Sequence, residues 1–195
     1  LQDIRFLLPK IILASGSPAR KALLEELGIE VQVFATNCDE SCQLTEAAQV
    51  VRSLAIRKLE NYRMIHPKYH LPVLACDTLI ALDGNLIGKP QSREDAFKQL
   101  SFFSMKVQEV HSGWALWYND KQISGCDCAL VHFKSLDKKT IEAYLDTNQW
   151  QGAAGSYRIQ GSARSLIDHI EGDAATVIGL PLLQISEILS KPVHQ

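Results

Sequence analysis

Residues 11–20 read Ile-Ile-Leu-Ala-Ser-Gly-Ser-Pro-Ala-Arg, which places a buried strand, a glycine-containing turn and a helix start within ten positions. Ser17 suits the N-cap and Pro18 the first helical position, while Leu23, Leu24 and Leu27 form a core-facing stripe that Gly28 ends. A strand that feeds directly into an amphipathic helix points to an α/β fold. Arg20 falls in the first helical turn, where a capping box would carry Glu or Gln. A cation there opposes the helix dipole by ~0.3–1 kcal/mol, and a bound anion is the compensation this pattern suggests.

A length of 195 residues suits one domain, read as spanning 1–195. Hydrophobic residues make up 46% and charged residues 22%, and the net charge is only -2, so bulk electrostatics gives no reason to expect nucleic acid. No apolar run approaches the ~20 residues that span a bilayer, so no membrane is expected. Leu1 stands where an initiator Met would be, yet nothing in residues 1–10 reads as a targeting peptide. Five cysteines, an odd number, point to reduced thiols and a cytoplasmic location. Cys38 with Cys42 and Cys126 with Cys128 lack the two-residue knuckle gap and a nearby paired His, which argues against structural zinc.

Val31–Ala35 reads as a second strand, followed by a polar loop over 36–43. Apolar residues Ala47, Val50, Val51, Leu54, Ala55 and Leu59 recur at helical spacing from Thr45 to about Met64, leaving Arg52, Arg57 and Lys58 at other angles, and Pro67 ends that helix. Leu71–Leu82 is strand-like, and Asp83-Gly84 turns it into Asn85–Ile87. A helix over Arg93–Phe103 precedes two long antiparallel strands, Lys106–Tyr118 and Gln122–Phe133, joined at Asn119-Asp120. Leu136–Asp146 reads as a short helix, 151–161 as a glycine-punctuated loop rather than a packed element, and Ala163–Ile170 as a return to the sheet. Gly179-Leu-Pro-Leu launches the last helix, with Leu183, Ile185, Ile188 and Leu189 apolar. The fold class is α/β: a mixed, partly antiparallel sheet flanked by helices.

Asp77 interrupts an otherwise apolar strand, where an unpaired carboxylate would be costly. It either takes local hydrogen bonds at a strand end, or faces a cleft to meet a metal or accept a proton. Lys89, in Gly-Lys-Pro, can return beside Asp77 through the hairpin or remain a solvated turn residue. Asp39 and Glu40 offer oxygen ligands suited to Mg²⁺ or Mn²⁺, or simply solvate their loop. Lys58 alone fits a solvated helix face. Gln160 carries an amide able to read a base edge, as any loop glutamine does. The six histidines (His66, His70, His111, His132, His169 and His194) show no close metal-binding spacing, and Gly-Ser-Pro is not a nucleophile elbow.

In order along the chain, these segments resemble the Maf family of nucleotide pyrophosphatases. The likeness runs through Leu13–Arg20, Asp39-Glu40, Leu54–Lys58, Ala75–Thr78, Gly88-Lys89-Pro90, Gly155–Gly161 and Val177–Leu182. It implies a Maf/ITPase-like fold with a central cleft, and hydrolysis of a nucleoside triphosphate between its α and β phosphates with a divalent cation, Mg²⁺ or Mn²⁺. Asp77 matches the family's proton acceptor. Ser15, Ser17 and Arg20 match its first phosphate-binding segment, and Glu40, Lys58 and Lys89 match the other polar positions, with Glu40 and Asp77 as the implied metal ligands. The positions of Ala19, Thr78 and Gln160 help select the base. Thr78 and Gln160 agree with the dTTP/UTP group, whereas Ala19 replaces its Arg. Met105, Gln108, Ala153 and Arg158 stand where Gly, His, Lys and Gly are usual, and Arg158 offers a replacement cation. The resemblance also allows a 7-methyl-GTP or broad preference, a nucleotide-binding regulator of septum formation, and a homodimer.

Overall fold

The computed structural model describes residues 2–190; Leu1 and residues 191–195, His194 among them, lie outside it. Seven helices and seven strands follow in the order α1 (Gln2–Leu7), β1 (Lys10–Leu13), α2 (Pro18–Glu26), β2 (Glu30–Val33), α3 (Ala47–Ile65), β3 (Val73–Leu82), β4 (Asn85–Ile87), α4 (Arg93–Phe103), β5 (Val107–Tyr118), β6 (Lys121–Phe133), α5 (Lys138–Leu145), β7 (Ile167–Glu171), α6 (Ala174–Ile178) and α7 (Leu182–Ser190) among the described residues. The sheet order is β2-β1-β3-β5-β6-β7, with β4 paired to β3. β1 runs parallel to both β2 and β3, while β3/β4 and β6/β7 are antiparallel, so the sheet is mixed.

The two hairpins follow from their turn residues. Asp83 and Gly84 have φ of 51° and 76°, and Asn119 and Asp120 have 49° and 58°. Two successive positive φ values define the turn whose twist matches paired strands, and Asn, Asp and Gly tolerate it best. α2 is capped by Ser17, whose hydroxyl accepts from the Arg20 backbone N–H, with Pro18 in its first turn. α4 and α5 open on Ser92 and Asp137, each accepting a backbone N–H three residues on.

The chain divides into two compact units, one holding residues 2–78, 112–127 and 179–190, the other 79–111 and 128–178. In the first unit, Ile12, Ala14, Ala55, Leu59, Tyr62, Val73, Ala75 and Ala115 form a core under α3. In the second, Phe103, Phe133, Trp150, Tyr157 and Leu166 belong to a larger core built around α4, α5 and the sheet.

Several local expectations are corrected. Of the α2 leucines only Leu24 is buried, with Leu23 and Leu27 half-buried, and Leu183 on α7 is exposed. The segment 151–161 is packed after all. Ala154–Ser156 makes a 3-10 turn with Gly155 and Ser156 buried, and Tyr157 joins the core. Gly155 has φ 67°, and a Cβ there would stand 2.6 Å from Ile80 Cδ1, so both backbone and space require glycine. The return to the sheet begins only at Ile167, because Ser162–Leu166 forms another 3-10 turn. The short helices α1 and α6 carry too few residues for a periodic signal.

Candidate active site

The cluster grows from three elements of the first unit. β3 brings Asp77 to a half-buried position in mid-strand, with Cys76 on one side fully buried. α3 brings Lys58. The expectation that Lys58 lies off the apolar face is wrong, because Val51, Ala55 and Tyr62, at four, three and four residues' spacing around it, are all buried. Lys58 therefore occupies the inward stripe of its own helix. Its ammonium lies 2.5 Å from Asp77 Oδ1 and 2.9 Å from Glu40 Oε1. The Lys58 and Asp77 side chains are only 12% and 13% exposed, whereas that of Glu40 is 64% exposed. The cost of placing an unpaired carboxylate in a strand is thereby met by a neighbouring cation. Burial works against the Lys58 ammonium, but the charge and hydrogen bonds of Asp77 and Glu40 outweigh it and raise its pKa above the ordinary lysine value.

The loop that carries Glu40 is held by a residue absent from the expected site. Arg57 Nη1 donates to the carbonyls of Asp39 and Ser41, at 2.6 and 2.8 Å, bracketing Glu40. Asp39 accepts from the backbone N–H and hydroxyl of Ser41, which tightens the turn and holds its carboxyl below the usual aspartate range. Asp39 thus shapes the loop. Nothing in the sequence distinguishes Arg57 from a solvated helix cation except its place beside Lys58.

The third element is the β1–α2 turn. Arg20 is buried, and its guanidinium donates to Ser15 Oγ at 2.7 Å, the Cys76 carbonyl at 2.9 Å, Thr78 Oγ1 at 2.9 Å and the Gly179 carbonyl at 2.8 Å. Four of its five N–H donors thus meet protein oxygens. The hydrogen-bond compensation expected from an anion is largely supplied by the chain itself. Those four partners are neutral, however, so they satisfy the donors without cancelling the charge. Ser15 is buried and accepts from both Arg20 and the Ser17 backbone N–H. Ala19 is half-buried. The Thr78 hydroxyl also shares a hydrogen bond of 2.9 Å with Ser112, so it is held from two sides.

Neither Ser112 nor the Gly179 carbonyl was foreseen. Gly179 has φ 107°, and a Cβ on it would lie 2.8 Å from Thr78 Oγ1 and 3.0 Å from Arg20 Nε. The Gly-Leu-Pro-Leu helix launch therefore also supplies the carbonyl that accepts from Arg20 Nε. Cys76 is not a nucleophile here: burial pushes its thiol up to about 11.

Lys89 and Gln160 belong to the second unit, and both are exposed. The Gly88 carbonyl beside Lys89 accepts from the Gly155 backbone N–H at 3.2 Å and the Gln99 side chain at 3.2 Å, tying that turn to the 151–161 loop. Arg158, considered as a replacement cation, instead donates to the carbonyls of Gln149 and Gln151 and clips its own loop. Met105 adopts φ 61°, a left-handed conformation that explains why glycine suits this position. Gln108 is fully buried, and neither amide atom of its side chain has a hydrogen-bond partner among the described residues.

Residues 10–192 match the family model described as Maf-like protein. A dTTP/UTP pyrophosphatase of Pyrococcus furiosus is 34% identical over 180 residues, covering 92% of this chain and 94% of that one. Proteins of the same description from Bacillus thuringiensis and Methylobacillus flagellatus are 34% and 35% identical, covering 90% and 92% of this chain and 92% and 91% of theirs. The solved Staphylococcus aureus Ham1 protein is 13% identical, with a TM-score of 0.45 over 64% of this chain and 71% of that one, too distant to argue from.

Proposed function

Since this chain belongs to the Maf family, we propose that it hydrolyses the α–β phosphoanhydride of dTTP, UTP or a modified pyrimidine triphosphate, giving the monophosphate and pyrophosphate. Within the molecule, the observation that carries this reading is the row Glu40–Lys58–Asp77, two carboxylates set on one largely buried ammonium. Such a row suits the chemistry of a polyanion attacked by water, in which cations offset phosphate charge and a carboxylate takes the proton.

Asp77 is the proton acceptor. Lys58 engages Oδ1 and fixes the carboxylate, and Oδ2 carries no hydrogen bond among the described residues. That second oxygen is the one able to take a proton from water. The uncancelled charge of Arg20, the Ser15 hydroxyl and the N-terminus of α2 at Ser17 favour a phosphate group. The donor set also suits Mg²⁺ or Mn²⁺, since Glu40 and Asp77 offer the carboxylate oxygens that such hard cations take. Bound there, the ion would polarise the α-phosphate or its attacking water. Thr78 and Gln160 support the pyrimidine preference as the residues of the dTTP/UTP group, and Ala19 widens the pocket edge. We place this activity in the cytoplasm. Among the described residues no helix is long and apolar enough to cross a membrane.

A panel of dTTP, UTP, modified pyrimidine triphosphates, 7-methyl-GTP and purine triphosphates, assayed with Mg²⁺ or Mn²⁺, tests the reading. Pyrophosphate should be released, fastest from the pyrimidines. Orthophosphate as first product would reject the bond, and a 7-methyl-GTP optimum would reject the base assignment.

A further inference from the structure

Antiparallel pairing of β6 with β7 sets His132 directly opposite His169, although nothing in their sequence spacing suggests a pair. Their rings stack with centroids 3.9 Å apart and planes 17° from parallel. Glu171, next on the same face of β7, reaches both. Its Oε1 lies 2.9 Å from His132 Nε2 and 3.6 Å from His169 Nε2. Two imidazole nitrogens and one carboxylate oxygen thus lie within 4.8 Å of one another.

The two separations to Glu171, 2.9 and 3.6 Å, bracket the spacing within a coordination sphere. Ligand atoms ~2.0–2.1 Å from a tetrahedral zinc stand about 3.3 Å from each other. Two further observations favour an ion over a simple ion pair. His132 Nε2 is buried, and its approach to Glu171 does not meet hydrogen-bond geometry, so the nitrogen is close to an oxygen without being satisfied by it. His169 Nδ1 is already engaged by Asp168 Oδ2 at 2.8 Å. A carboxylate on the far nitrogen is the arrangement that fixes metal-ligating histidines, since it holds the proton on Nδ1 and leaves the Nε2 lone pair for the metal. His169 is half exposed, so its ring can turn to aim that lone pair beside His132.

We propose that His132, His169 and Glu171 bind a divalent transition-metal ion of the zinc class, with Asp168 orienting His169. Imidazole and carboxylate donors with one open position suit zinc or a neighbouring first-row ion better than Mg²⁺. The ion would clip β7, the last strand in the sheet order, to β6, next to the register shift between His132 and Phe133. This inference does not depend on the triphosphate chemistry, whose Glu40, Lys58 and Asp77 lie in the other unit.

Glu109, His111 and Cys128 form a second group of potential ligands in the same unit, so the test uses the full chain carrying Cys128→Ser. Zinc(II) is titrated into metal-free protein against a chromophoric chelator, and copper(II) loading is followed by electron paramagnetic resonance. In excess Mg²⁺, which occupies the Glu40 and Asp77 oxygens, one zinc per chain should bind and raise the melting temperature, and the copper spectrum should show coupling to two imidazole nitrogens. His169→Ala should abolish both the zinc binding and the thermal shift. Asp168→Asn, an exposed change that leaves the three ligands in place, should weaken zinc by about 10–100-fold. Less than one zinc per chain, equal affinity in Asp168→Asn, or coupling to a single nitrogen would overturn the proposal.

Discussion

Arg20 and Lys58 show two ways in which one cation can organise a site. Arg20 draws together the β1–α2 turn, two positions of β3 and the start of the last helix through four neutral oxygens. A lysine there is a point charge with three donors and cannot hold that fork. Arg20→Lys should therefore lower unfolding free energy by about 2–4 kcal/mol in denaturant titration, from lost charged hydrogen bonds and stranded oxygens. A loss below ~1 kcal/mol would mean that Arg20 is not the tie the geometry indicates. Lys58 gathers charge instead. With its pKa raised, its contribution to stability is complete below the ordinary lysine value of about 10.4 and is lost only as pH climbs through the raised value. It is an ammonium throughout the neutral range, so its role at Asp77 is orientation and charge, not proton exchange.

At the scale of elements, how much was legible depended on how local the cause was. The boundaries of β4 and α4, and both hairpin turns, were readable because Asp-Gly, Asn-Asp and the Ser92 cap act within four residues. Ser17 and Pro18 were readable for the same reason. The inward turn of Lys58 does not show in the spacing of apolar residues alone, because a lysine on the apolar stripe depends on a carboxylate partner that lies elsewhere in the chain. The His132/His169 pair depends on strand register, which spacing along the chain does not reveal. Gly113 is another silent case. A Cβ on it would lie 2.3 Å from the Val51 carbonyl carbon and 2.4 Å from its oxygen, so β5 and α3 approach with backbone against side-chain position. Gly113→Ala should push α3 outward, costing about 1–3 kcal/mol or more. Because α3 carries both Lys58 and Arg57, catalytic turnover should fall with it. Unchanged stability would show that the helix yields freely at this point.

For the molecule as a whole, the family likeness and the first unit's cluster point the same way by separate routes. The ordered motifs implied the residues, and folding gathers Ser15, Arg20 and Thr78 into one hydrogen-bonded group and Glu40, Lys58 and Asp77 into one ion-paired group of that unit, with Asp77 and Thr78 adjacent on β3. In the proposed reaction Asp77 accepts the proton as the α–β bond breaks. Asp77→Asn keeps shape and volume while removing the carboxylate, and binding of the triphosphate can be followed beside turnover. Pyrophosphate release from dTTP or UTP should fall by about 10²–10⁴-fold, the usual worth of general acid–base catalysis, with nucleotide binding retained. Turnover equal to the wild type in a folded Asp77→Asn protein would contradict the account.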